Sequence, residues 1–591
     1  MKNFFKYLLA VTLGLVLGFV IIFLIIFGVV SSMKNEDPIE IADNSVLLLK
    51  LDNQMQDRAV EKSPTGLDFK SMLGDEKPGM MEVLEAIEKA KTDKKIKGIY
   101  LDVNEVPTGL ATLEEIRNGI LDFKTSGKFV YAYADDYEQR EYYLATAADS
   151  VFLNPAGSII FKGLNAQIIF LKGMLEKIGV QPEIIRHGKF KSAVEPLIAD
   201  KMSDENKEQT RQWLFSIWNY MLNNISVSRN ISVNKLNMFA DSLTIRTGEQ
   251  AVENKLIDRL IYKDQMMSLL KVQTGKKKNE KVVFTQVTEY NKAPRELTEK
   301  EKDLGLAKDK IAVIYCIGSI VKGEGQSDEI GANKTAKMIA DAAKDSSIKA
   351  IVLRVNSGGG SALASEIIWR EVVLAKTLKP VIASMGDYAA SGGYYIVCQA
   401  DTVLASPTTL TGSIGVFGVF MNVQKLMNEK LGVTSDNVKT NTYADLMSPL
   451  RTMTETEKNA IQTEIEKIYE TFITHVSKGR NISKTDVDSI GQGRVWVGLD
   501  AKQIKLVDKL GGLTDAIKIA AQKSKLKHYR IVSYPEKKDF LKQIFESSED
   551  KDKSAVMREI LGTNYKYFTY LEKVTRLNGI QALIPFVVEI D

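Results

Sequence analysis

Lys95-Ile-Lys-Gly-Ile-Tyr-Leu-Asp-Val-Asn104 and Ser347-Ile-Lys-Ala-Ile-Val-Leu-Arg-Val-Asn356 are two versions of one stretch, set 252 positions apart. Each is a β-branched apolar run behind a helix-like segment, as expected of a strand buried on both faces in an α/β unit. The correspondence continues in order. Lys128-Phe-Val-Tyr-Ala-Tyr-Ala-Asp-Asp-Tyr137 pairs with Lys379-Pro-Val-Ile-Ala-Ser-Met-Gly-Asp-Tyr388, and Ala148-Asp-Ser-Val-Phe-Leu-Asn-Pro155 with Ala400-Asp-Thr-Val-Leu-Ala-Ser-Pro407. Farther on, Arg229-Asn-Ile-Ser232 returns as Arg480-Asn-Ile-Ser483. An ordered series of this kind is an internal duplication rather than shared composition.

The expected architecture is therefore α/β, with two tandem modules at residues 46–290 and 309–535, a charged connector at 291–308 and a C-terminal extension at 536–591. Short apolar strands alternate with helical stretches in each module, such as Ala362 to Lys376 after a glycine turn. A chain of 591 residues exceeds what one hydrophobic core organises, which agrees with more than one domain. The 79 Lys and Arg residues nearly cancel 75 Asp and Glu, leaving a net charge of +4 and no basic stripe of the kind that binds nucleic acid. Cys316 and Cys398 stand in apolar surroundings and read as buried small hydrophobes rather than a disulfide, metal pair or nucleophile.

From Tyr7 to Val30 the chain carries no charge, and about 20 such residues cross a bilayer core. No Ala-x-Ala-like cleavage site follows the run, which reads as an uncleaved anchor after a cytoplasmic stub, together residues 1–34. Lys2 and Lys6 precede it, whereas Lys34 is offset by Glu36 and Asp37. Positive-inside bias then puts the bulk of the chain on the far side, periplasmic in a bacterium. The apolar stretch Ile580 to Val588 is interrupted by Gln581 and Pro585 and reads as a packing element.

The two copies differ where chemistry is at stake. Asp387-Tyr-Ala-Ala-Ser-Gly-Gly-Tyr394 sets Ser391 among small residues that admit a substrate backbone, whereas the first copy has Arg140 at that place. Conversely, Lys191 in Phe190-Lys-Ser-Ala-Val-Glu-Pro-Leu197 is matched by Ala444 in the second copy. Such reciprocal loss is expected if the modules meet over one site, because a serine needs only one base. The copy with Ser391 also keeps Val355-Asn-Ser-Gly-Gly-Gly-Ser361, whose successive N–H groups suit an oxyanion; the first copy has Pro107 in its counterpart. No histidine among His187, His475 and His528 lies near Ser391 in sequence, though triads are recognised by geometry rather than spacing. A lysine can serve as the base if burial lowers its pKa. Ala193, Val194 and Pro196 favour such a pocket, while Lys189 and Glu195 leave it open.

These same stretches carry a resemblance. Lys191-Ser-Ala-Val-Glu-Pro196, Met385-Gly-Asp-Tyr-Ala-Ala-Ser-Gly-Gly-Tyr-Tyr395 and Leu410-Thr-Gly-Ser-Ile-Gly415 occur together, in the order found in the bacterial signal peptide peptidase A family. The chain resembles its long tandem-repeat form, membrane-bound serine/lysine proteases with the Clp protease/crotonase superfamily fold. The resemblance implies Ser391 as nucleophile, Lys191 as general base, Ser413 as the group holding the lysine amine, and the N–H groups of Gly359 and Gly392 as oxyanion donors. It implies no cofactor and no metal. It further implies hydrolysis of signal-peptide remnants and other unfolded peptides by a homotetramer, anchored in the bacterial inner membrane through residues 7–30. The family usually has a proline in the glycine loop where this chain has Gly358. Two rival readings keep the fold: acyl-CoA chemistry, for which no nucleotide-binding signature is present, and a non-catalytic membrane scaffold, for which Gly358 is the specific support.

Overall fold

The computed structural model describes residues 39–59, 77–294, 307–326, 328–536, 579–584 and 589–590, with 6–7, 11–18 and 20–21 near the N-terminus. Most of the expected anchor and of the connector lies outside the described residues. Among the described residues, no helix is long and apolar enough to cross a membrane.

The two stretches that open the sequence argument become strands Ile96–Asp102 and Ile348–Ser357, and each occupies the same place in a sheet of its own. The first sheet runs Arg259–Leu260, Ser150–Leu153, Phe129–Ala134, Ile96–Asp102, Ser45–Lys50, Phe284–Gln286. The second repeats that order as Lys509–Leu510, Thr402–Ala405, Val381–Ala390, Ile348–Ser357, Lys310–Ile317, Arg530–Tyr534, and every pairing along these two series is parallel. The second sheet adds Leu410–Gly412 beside Val381–Ala390, with Val495–Val497 antiparallel to it. Parallel strands need helical crossovers that cover the sheet faces, which is why their residues are apolar on both sides. The helix before Ile348 shows the matching pattern. Ala332–Lys344 buries Ala332, Thr335, Ile339, Ala342 and Ala343, one stripe at helical spacing.

The halves are not separate globules. One core joins Leu49, Ile99, Leu101, Leu113 and Ile116 of the first half to Val313, Val352, Leu513 and Ala516 of the second. Within it Arg354, fully buried, pairs with Asp57 at 2.6 Å and Glu115 at 2.7 Å, both from the first half. Asp387, four residues before Ser391, accepts the N–H groups of Ala111 and Thr112 at 2.9 and 3.2 Å. It thereby satisfies the open N-terminus of helix Leu110–Lys124 in the other half.

A third, mixed sheet positions the site. Its order is Glu329–Gly331, Ser319–Val321, Gly359–Ser361, Gly579–Leu583, Val416–Asn422, Gln181–His187. The last strand belongs to the first half and pairs antiparallel with Val416–Asn422 of the second, His187 opposite Val416. Apolar residues from Ile580 to Leu583 do serve in packing, as part of this sheet; residues 585–588 lie outside the described ones. Cys316 and Cys398 are free and buried.

Candidate active site

Ser391 stands at the end of strand Val381–Ala390, immediately before helix Gly392–Val397. Its backbone has φ 54° and ψ −115°, a combination that costs an ordinary residue about 1–3 kcal/mol. Such a sharp strand-to-helix turn aims a side chain away from both elements. The turn is held by its neighbour: Ala390 pairs with Gly412, and the Ser391 N–H donates to the Gly412 carbonyl at 2.8 Å. Ser413 thus falls beside Ser391. Its own N–H donates to the Arg494 carbonyl at 2.7 Å. Arg140, at the corresponding place of the first half, lies within helix Gln139–Ala145.

Lys191 reaches the pair from the other half. The chain leaves strand Gln181–His187 and turns, with the Phe190 N–H donating to the Gln492 carbonyl at 3.0 Å. Gln209, on helix Asp204–Arg229, braces that turn through the Phe190 carbonyl at 3.1 Å and the Ser192 hydroxyl at 3.0 Å. Its carbonyl oxygen accepts the Val495 N–H at 3.1 Å, so one side chain ties the lysine turn to the second half. Sequence reasoning passed over Gln209, because a glutamine on a charged helix carries no signal of its partners.

The Lys191 Nζ lies 2.8 Å from the Ser391 Oγ, 3.0 Å from the Ser413 Oγ and 3.1 Å from the Ser413 carbonyl oxygen. All three residues are fully buried. No carboxylate among the described residues forms an ion pair with Lys191, and burial alone pushes its pKa well below the usual lysine range. Glu195, the acidic neighbour in sequence, points elsewhere and accepts from the Ser203 N–H at 3.2 Å and the Asn206 side chain at 2.9 Å. A neutral amine has two N–H donors and one lone pair. The two Ser413 oxygens can take the donors, which leaves the lone pair facing the Ser391 hydroxyl. That is the arrangement a general base requires.

The histidines are engaged elsewhere. His187 Nδ1 is 2.6 Å from Glu466, and His475 Nε2 is 3.0 Å from Glu366. His528 is exposed. Ala444, the counterpart of Lys191, is exposed in a turn-rich surface segment.

The glycine loop is close by. Gly359 has φ +103°, open to glycine alone, and a Cβ there would stand 2.7 Å from the Gly392 nitrogen. The Gly359 N–H donates to the Ser357 hydroxyl at 3.1 Å. The two expected oxyanion residues are therefore adjacent, one of them with its N–H engaged by a side chain.

Peptidase family S49 matches this chain twice, at residues 122–277 and 374–527. The chain belongs to that family. Among relatives, Protease 4 of Haemophilus influenzae is 37% identical over 495 residues, 82% of this chain and 79% of its own length. Protease 4 of Salmonella typhi is 37% identical over 477 residues, 79% of this chain and 76% of its own. The chloroplastic serine protease SPPA of Arabidopsis thaliana is 31% identical over 548 residues, 91% of this chain and 77% of its own. This S49 chain is a serine protease in the long, two-copy form, and peptides are its substrates. Neither acyl-CoA chemistry nor a non-catalytic role describes it. A solved structure of ClpP1 from Listeria monocytogenes aligns with 37% of this chain at 14% identity and a TM-score of 0.24, too poor a superposition to carry an argument.

Proposed function

We propose that this S49 protease works through a serine/lysine dyad, with Ser391 as nucleophile, Lys191 as general base and Ser413 as the residue that orients the amine. The observation behind this reading is the contact of 2.8 Å between a serine on a sharp turn and a fully buried lysine that has no acidic partner among the described residues. A lysine kept neutral by desolvation can accept a proton near neutral pH, which a solvated one cannot.

In the first step the Ser391 hydroxyl proton passes to the Lys191 Nζ as the Oγ bonds to the substrate carbonyl carbon. The carbonyl oxygen takes the negative charge and is met by backbone N–H groups of Gly392 and Gly359, the latter on leaving Ser357. The C–N bond then breaks, and the Lys191 ammonium gives its proton to the departing amine. Water, deprotonated by the neutral lysine, attacks the acyl-enzyme and releases the carboxylic acid and Ser391.

We place the modules at 46–290 and 309–535, with the general base from one and the nucleophile from the other. The substrates are cleaved signal peptides and other unfolded peptides. Residues 7–30 anchor the chain in the bacterial inner membrane, a single span with the catalytic bulk on the periplasmic side, in a homotetramer. The uncharged run of those residues and the likeness to Protease 4 support this setting.

Peptide hydrolysis by the purified full-length chain, with Ser391→Ala and Lys191→Ala beside it, tests the dyad. Both variants lose turnover, Lys191→Ala by about 10²–10⁴-fold, and a phosphonylating inhibitor labels Ser391 only when Lys191 is present. Equal turnover in all three proteins would refute the assignment.

A further inference from the structure

The strand Gly579–Leu583 lies where an extended peptide has to lie to reach Ser391. It is paired antiparallel on both sides, Gly359 to Leu583, Gly360 to Ala582 and Ser361 to Gln581 on one, Phe417 to Gln581, Gly418 to Ile580 and Val419 to Gly579 on the other. One flank is the glycine loop; the other is the strand that leaves the Ser413 turn. Without this segment the sheet has a gap bounded by two strand edges, a groove that binds main chain rather than a particular sequence.

Three details make the segment substrate-like. The Ala582 carbonyl oxygen packs so close to the glycine loop that a Cβ on Gly359 would sit 2.0 Å from it, and one on Gly392 3.1 Å. It thus lies against Gly359 and Gly392, the two glycines expected to face a scissile carbonyl. The Ile584 N–H donates to the Gly358 carbonyl at 2.9 Å, extending the strand past that point. A Cβ at Gly358 would lie 2.8 Å from the Ile584 side chain, so the glycine at this place admits the tail. With Ala582 buried in the groove, Ser391, Lys191 and Ser413 have no exposed surface.

We infer that Gly579–Ile584 is a substrate-mimicking inhibitor carried by the chain itself, with Ala582 in the place of the residue on the acyl side of the scissile bond. The inference rests on the assignment of Ser391 for its catalytic meaning, but not for the occupancy of the groove. A tethered segment competes at a high effective concentration, and an incoming peptide binds only to the fraction of molecules whose tail has left.

The test is Ala582→Arg in the full-length chain, which puts a long cation into the buried place and expels the tail. KM for a quenched peptide substrate falls about tenfold with kcat unchanged; an unchanged KM overturns the inference. The same substitution in a Ser391→Ala chain reads occupancy without catalysis. A labelled synthetic peptide of residues 579–591 binds Ser391→Ala/Ala582→Arg at least about tenfold tighter than Ser391→Ala alone. Equal binding to both, or binding to neither, overturns the inference. If that difference is present while the parent chain hydrolyses nothing, the serine/lysine reading fails and the tail inference stands. Hydrogen exchange needs no change in the tail: the amides of 580–584 exchange faster when saturating peptide substrate is added to the Ser391→Ala chain, and unchanged exchange is contrary to the proposal.

Discussion

Gly493 lies against the backbone of Lys191: a Cβ at 493 would stand 2.6 Å from the Lys191 Cα, and the glycine has φ +83°. The N–H of Gly493 donates to the Ile414 carbonyl at 2.7 Å, between Ser413 and Gly415. The second half thus presses a bare backbone against the lysine turn of the first. Gly493→Ala meets both a steric clash and a left-handed backbone, the latter alone costing about 1–2 kcal/mol. The expected result is a lower Tm together with a loss of kcat of at least about tenfold, as the amine is displaced. Thermal unfolding and steady-state kinetics on one preparation check it.

Burial of Lys191 links protonation to stability. Its folded pKa is lowered, so between that pKa and the unfolded value of about 10.4 the unfolded chain binds more protons. Stability from this group therefore rises with pH across that window; below it the lysine is protonated in both states, and its buried charge imposes a constant cost. Lys191→Met removes the titration. We expect the variant to be inactive, more stable than the parent at neutral pH, and to lose that advantage as pH approaches about 10.4. Denaturant unfolding at several pH values measures the difference.

Under the proposed dyad the same lowered pKa sets the pH dependence of the rate. With a neutral lysine as base, log kcat/KM rises with slope one as pH increases below the folded pKa and then levels, about tenfold per pH unit on the ascending limb. A profile that rises only near the pKa of a free lysine would mean that the amine is solvated in the working enzyme.

Ser413 offers both its hydroxyl and its carbonyl to the amine. Ser413→Ala removes one of the two acceptors and leaves the amine free to turn its lone pair from Ser391. We expect kcat to fall about 10–100-fold with KM little changed. Ser413→Thr, which keeps the hydroxyl, recovers part of the rate; equal loss in both variants would indicate a packing defect instead.

The Arg354 cluster joins the halves without touching the site. Arg354→Met strands Asp57 and Glu115 as buried carboxylates, and removing one member of such a set costs about 3–5 kcal/mol. The expected Tm loss is largely recovered when Asp57→Asn and Glu115→Gln are added, since the uncompensated charges are then gone. Unfolding curves of the single and triple variants decide.

Much of the fold was legible because duplication multiplies a weak signal. The buried strands around Ile99 and Val352 announce themselves through apolar, β-branched runs, and their common offset makes the two parallel sheets equivalent. The residues of interest were legible through their inequality, Lys191 against Ala444 and Ser391 against Arg140. Gln209, Gly493 and Arg354 were not, because each acts on a residue from the other half, and no local pattern encodes such a partner.

The sequence by itself determined the α/β class, the two copies, and which copy kept a serine and which a lysine, since these depend on periodicity and on identity at aligned places. Only the tertiary structure decided that the two residues meet. Strand Gln181–His187 crosses to the sheet of the second half, bringing Lys191 to within 2.8 Å of Ser391 across 200 positions of chain. Tertiary packing also decided the state of the amine. The same lysine would be an ordinary cation in water; here the second half closes over it, no carboxylate among the described residues forms an ion pair with it, and burial pushes its pKa well below the usual lysine range.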